Sequence, residues 1–86
     1  MFLVVWTDDG FNRMNDVIRD NPSRKREFAF ALRQINHQLS TDPENVGESR
    51  EENDVRIMFA GEVSVFYRVD TDEQTVEIGD VRLRQP

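Results

Sequence analysis

Cysteine is absent from this 86-residue chain, which excludes disulfides, thiolate metal ligands and cysteine nucleophiles, and suits a reducing compartment. Histidine and lysine each occur once, as His37 and Lys25. A histidine-built metal site therefore lacks ligands, and there is little scope for a Schiff-base or low-pKa lysine. No metal or cofactor is expected. Long apolar runs are missing too: nothing approaches the roughly 20 residues of a membrane span, and Phe2 to Trp6 is too short for a signal-peptide core. The expected location is the cytoplasm, with no membrane partner. Basic residues are outnumbered 11 to 17 by acidic ones, giving a net charge of −6. That field repels polyanions, so any nucleic-acid contact would need a local basic patch.

What is present is a strong pattern. In Asp54 to Val69, DVRIMFAGEVSVFYRV, apolar and polar residues alternate on both sides of a glycine, the mark of a hairpin buried on one face. A break at Ala60-Gly61-Glu62 pairs Phe59 with Val63, Ile57 with Val65 and Val55 with Tyr67 on the core face. The outer face then carries Met58 with Ser64, Arg56 with Phe66, and Asp54 with Arg68.

Upstream, Phe2 to Trp6 reads as a short central strand buried on both faces. Thr7 or Asp8 offers an N-cap to a helix on which Phe11, Met14 and Ile18 recur at helical spacing, ending near Asn21-Pro22. Ser23 can cap a second helix whose Phe28, Leu32, Ile35 and Leu39 share one face. Residues 40–53 form a polar, acidic loop. After a turn at Asp70 to Gln74, Thr75 to Leu83 is a last strand with Gly79 as a bulge. The expected architecture is one α+β domain over residues 1–86, ordered β-α-α-β-β-β. Two helices pack on one face of a small, mainly antiparallel sheet, and the other face is open.

In this order and spacing, Val5-Trp6, DPENVGES (Asp42 to Ser49), VRIMF (Val55 to Phe59), VFYRVD (Val65 to Asp70) and VEIGDVRLR (Val76 to Arg84) resemble the RelE/ParE toxin superfamily of bacterial toxin–antitoxin systems. The likeness runs over nearly the whole chain. It implies a small toxin-like module held by an antitoxin segment, with mRNA on the ribosome or DNA gyrase as the target. In RelE-like cutters a basic open sheet face supplies phosphate-binding and acid/base groups. By resemblance Arg56, Arg82 and Arg84 are the catalytic candidates. Met58 stands where a second basic residue is expected, Ser64 near an expected arginine, and no tyrosine closes the sequence at Pro86. The expectation is therefore partner binding with weakened or lost nuclease chemistry; an active endoribonuclease and a non-toxic interaction module are the alternatives.

The residues themselves set limits on this. Cleavage through a 2′-hydroxyl needs groups that take and give a proton, and cations for the developing phosphorane charge. Arginine serves the charge but stays protonated. Arg68 can stand between Glu77 and Asp54 as a structural cation, and Arg56 can stack on Phe66. His37 falls opposite the apolar stripe of its helix and should face solvent. Arg24, Lys25, Arg26 and Arg33 form a basic cluster, with Phe30 on the side of Arg26 and Arg33. It is either a solvated face or a docking surface for an acidic partner. Met58, Ser64 and Phe66 on the open face would be covered by an antitoxin segment, a second copy of the chain in a homodimer, or the folded-back Leu83 to Pro86. The acidic loop either solvates, mimics a polyanion or closes over the basic strand residues.

Overall fold

The computed structural model describes residues 1–49 and 54–84. Residues 50–53 of the acidic loop and the final two positions, 85–86, lie outside them.

Strand β1, Leu3–Trp6, runs into helix α1, Asp8–Asp20. Thr7 caps that helix, its hydroxyl accepting from the Gly10 N–H at 3.0 Å. Such a cap satisfies one of the donors that the first helical turn leaves without a partner. The helix closes at Asn21, which donates through its backbone to the Ile18 carbonyl and through its side chain to the Val17 carbonyl. A 3-10 turn, Pro22–Arg24, leads to α2, Lys25–Thr41. Ser23 falls inside that turn, so the cap position is Arg24 and no side chain caps α2.

Among the described residues four strands follow: β2, Glu48–Ser49; β3, Arg56–Ala60; β4, Val63–Asp70; and β5, Thr75–Leu83. The sheet order is β1-β5-β4-β3-β2. Among the described residues, only β1 with β5 is parallel and the other pairs are antiparallel. The expected β-α-α-β-β-β order holds, with two-residue β2 added from within the acidic loop. One face of the sheet is covered by Phe28, Ala31, Ile35 and Leu39 of α2, with Met14, Val17 and Ile18 of α1 packed alongside.

Three further expectations are corrected. β1 is an edge strand, paired on one side only, and Leu3 is 64% exposed; Phe2, Val4 and Trp6 alone turn to the core. Its apolar run reflects one buried face plus an exposed leucine. Phe11 is also exposed, because α1 presents Met14, Val17 and Ile18 to the sheet instead.

The third correction concerns the hairpin. Its loop is two residues, Gly61 and Glu62, closed by Ala60 opposite Val63. Gly61 takes φ +57°, as the first central residue of a two-residue hairpin turn of the II′ kind requires. Ala60, expected in the break, belongs to β3. Removing one residue from the loop turns every β3 side chain to the other face while leaving β4 as expected. Val63, Val65 and Tyr67 are buried as read, but their partners are Ala60, Met58 and Arg56. Ile57 and Phe59 take the open face, opposite Phe66 and Ser64.

Beyond the hairpin the reading matches the structure. Val69 pairs with Val76 and Arg68 with Glu77, and a register shift between Phe66 and Tyr67 leaves Gly79 as the extra residue of a bulge.

Candidate functional site

The bulge decides what the open face carries. Before it, Val76 and Ile78 point to the core; after it, Val81 does. The phase of β5 is thereby reset, and Asp80, Arg82 and Arg84 come to the same side as Glu77. With Ser64, Phe66 and Arg68 from β4, and Ile57 and Phe59 from β3, they form one continuous surface.

Two stacked pairs dominate it. The Arg82 guanidinium lies 4.8 Å from the centre of the Phe66 ring, and that of Arg84 lies 5.1 Å from the centre of the Phe59 ring. Each such pair contributes about 0.5–1 kcal/mol at an exposed site. Arg82 is also steered from its own strand, because its Nε donates to Asp80 Oδ2 at 3.0 Å. Asp80 in turn reaches Arg13 of α1 at 3.4 Å and accepts from the Val81 N–H. The carboxylate thus ties α1 to the edge of the arginine platform. The large side chains lie over smaller neighbours: Ile57 and Ser64 are buried although they sit on this face, and the Ser64 hydroxyl donates to the Arg82 carbonyl. Phe59 keeps 45% of its surface exposed. Where Gly79 carries no side chain, a cleft of about 310 Å³ opens between Phe66, Arg68, Glu77 and Asp9.

Arg56 is not part of this platform. The corrected register puts it on the helix side of the sheet, where its guanidinium donates to the Gly47 carbonyl at 2.7 Å and to the Tyr67 hydroxyl at 3.4 Å. Tyr67 donates to the Pro43 carbonyl at 2.7 Å. Burial pushes the Tyr67 phenol above its ordinary value, and the nearby Arg56 cation offsets part of that rise. A side chain on Gly47 would collide with the Tyr67 hydroxyl and the Ile57 carbonyl, so only glycine lets the loop pass. Arg56, Tyr67 and Gly47 together fasten residues 43–47 of the acidic loop against the sheet. In its described part, the loop is pinned on the helix side and does not close over Arg82 and Arg84.

The remaining candidates separate. Met58 is 3% exposed in the core, so it cannot serve as an open-face contact; Phe59 takes that place. Phe66 stacks with Arg82 and not with Arg56. Arg68 stands across from Glu77, but among the described residues it forms no ion pair with Glu77 or Asp54. Arg24 is engaged by Glu27 and Glu62 and lies over Phe28; the paired charges hold the guanidinium protonated and the Glu27 carboxyl below its ordinary value. Arg26, Phe30, Arg33 and His37 are exposed on the outer side of α2. Among the described residues, no group of three or more His, Asp or Glu is placed to hold a metal, and no helix is long and apolar enough to cross a membrane.

No family model matches the chain, and no curated protein matches it. Solved structures do. A chain of the RelBE2 toxin–antitoxin complex from Mycobacterium tuberculosis superposes with a TM-score of 0.79 at 24% identity, over 96% of this chain and 91% of that one. A chain of the chromosomal ParDE system from P. aeruginosa gives 0.69 at 15% identity, over 99% and 98%. The isolated E. coli RelE toxin gives 0.73 at 9% identity, over 100% and 87%. The fold is the RelE/ParE-like α+β fold.

Proposed function

We propose that this chain is a RelE/ParE-like toxin-superfamily protein that acts by binding protein partners through the open face of its sheet, an antitoxin among them, with its nuclease chemistry weakened or lost. The fold likeness supports the class, since two of the similar structures are a toxin–antitoxin complex and a ParDE toxin–antitoxin system. The observation that carries the partner-binding reading is the stacked arrangement of Arg82 on Phe66 and Arg84 on Phe59. Aromatic and arginine side chains, partly exposed and held in place, are the groups most enriched where protein surfaces meet.

Beside the stacked arginines the same face offers few proton-transfer groups, the Glu77 and Asp9 carboxylates lying apart from them at the cleft by Gly79. Its arginines stay protonated, and Asp80 is occupied by Arg13 and Arg82. Tyr67 points to the core, and His37 lies on the outer side of α2. Arg56, expected to complete a catalytic trio with Arg82 and Arg84, is bound to the loop on the opposite side.

Induced expression in bacterial cells tests this reading. Growth should slow, and the double change Arg82→Ala with Arg84→Ala should relieve the effect, while primer extension on translated mRNA shows no codon-positioned cuts. Such cuts would instead establish an active ribosome-dependent endoribonuclease. Unchanged growth with the wild-type chain would leave a non-toxic interaction module that keeps the fold.

A further inference from the structure

The outer side of α2 carries a second feature, independent of the open face and on the opposite side of the sheet. Arg26, Phe30, Arg33 and His37 fall within about 60° of one another at 100° per residue, and all are exposed. Phe30 leaves 59% of its surface in solvent. In a chain with 17 acidic and 11 basic residues, a cation has many carboxylates available. Arg13 and Arg82 each take one, and Arg19 and Arg24 each take two. Arg26 and Arg33 take none among the described residues, as Lys25, Arg56, Arg68 and Arg84 also do not, but only these two flank an exposed ring on the same helix face. Two unpaired guanidiniums therefore bracket an exposed aromatic ring on a rigid helix, against the overall sign of the protein.

We infer that this stripe docks an acidic amphipathic segment of a partner protein, with carboxylates on Arg26 and Arg33 and an aliphatic side chain against Phe30. The two arginines are about 10 Å apart along the helix axis, which a partner helix matches with acidic residues seven positions apart and a leucine between them. A nucleic acid fits less well. It would meet only these few cations and a single ring, against a net charge of −6, and strand binding relies on repeated phosphate contacts and stacking.

The test uses a fluorescein-labelled helical peptide of about 20 residues, carrying Glu, Leu and Glu in that spacing, and reads anisotropy against the full chain. Binding should weaken about tenfold with Arg26→Glu plus Arg33→Glu and severalfold with Phe30→Ala. It should be unchanged with Arg68→Glu, a cation on the other face. Circular dichroism and melting temperature confirm that each variant stays folded. Three results overturn the inference: no binding of the peptide by the wild-type chain, binding that ignores Arg26→Glu plus Arg33→Glu, or equal binding of a peptide with its Leu and Glu order scrambled. Tighter binding of a single-stranded RNA oligonucleotide, lost in the same double variant, would assign the stripe to nucleic acid. Self-association of the free chain that the double variant abolishes would assign it to a second copy.

Discussion

The Tyr67 hydroxyl, buried in the core, donates to the Pro43 carbonyl at 2.7 Å. It thereby joins the central strand to the loop that leaves α2. Replacing Tyr67 with Phe keeps the ring but strips the carbonyl and the Arg56 guanidinium of a partner. A buried polar group left unpaired costs about 1–3 kcal/mol. Urea denaturation of Tyr67→Phe should show a loss in that range with an unchanged slope, and hydrogen exchange should quicken across residues 43–47.

The same phenol sets an alkaline limit. Its folded value is raised, chiefly by burial, so the neutral form is favoured by folding. The contribution is fully present below the unfolded tyrosine value of about 10, and is lost as pH rises from there through the higher folded value. Stability should therefore decline above about pH 10, and the decline should be smaller in Tyr67→Phe. A melting series from neutral to alkaline pH for both proteins reads the difference directly.

The Gly47→Ala change probes the passage of the loop past Tyr67. A β-carbon there meets the Tyr67 hydroxyl and the Ile57 carbonyl, and neither can move without breaking a contact that holds the sheet margin. The variant should melt well below wild type. Glycine substituted by alanine at exposed Gly61, where no heavy atom lies nearby, should cost only the strain of its positive φ. Comparing the two melting temperatures separates crowding from backbone strain.

Much of this architecture is legible in the chain. The helical stripe Phe28, Leu32, Ile35 and Leu39 and the alternation Val63, Val65 and Tyr67 each point to one buried face, and all are buried except the half-buried Leu32. The bulge is legible as well, because the apolar positions Val76 and Ile78 are followed by Val81, a step of three that a regular strand cannot accommodate. The register of β3 was not. Both Ile57–Phe59 and Met58–Ala60 supply apolar side chains at alternate positions, so the pattern is nearly symmetric, and the loop length alone decides between them. The role of Arg56 followed from that choice. An arginine can reach the core side only where a margin supplies acceptors, and the Gly47 carbonyl and Tyr67 hydroxyl are brought there by tertiary structure. For the open face, the stacked pairs needed Phe59 outward. The FYR and VRLR segments marked Phe66, Arg82 and Arg84, but nothing local marked Phe59.

The corrected register has a direct test in adjacent residues. Met58 is buried and Phe59 is 45% exposed, so Met58→Ala should cost about 2–5 kcal/mol as a core truncation. Phe59→Ser should cost far less, since it removes a partly exposed ring and one stacking contact. The opposite ranking in urea denaturation would restore the alternative hairpin with a longer loop.

Arg56 and Arg82 can finally be told apart by what each change damages. Arg56→Met removes the donor to the Gly47 carbonyl and leaves the Tyr67 hydroxyl with one contact fewer. It should lower stability by about 1–3 kcal/mol and leave the effect on growth intact once matched for soluble protein. Arg82 sits at the surface with its side chain 65% exposed and its carboxylate partner only partly shielded. Arg82→Ala should change stability by less than about 1 kcal/mol and yet weaken the growth effect. Denaturation curves and matched induction experiments on the two variants therefore give crossed results if the open face binds and the opposite side only supports. A growth effect abolished by Arg56→Met in a protein of wild-type melting temperature would return Arg56 to the active surface.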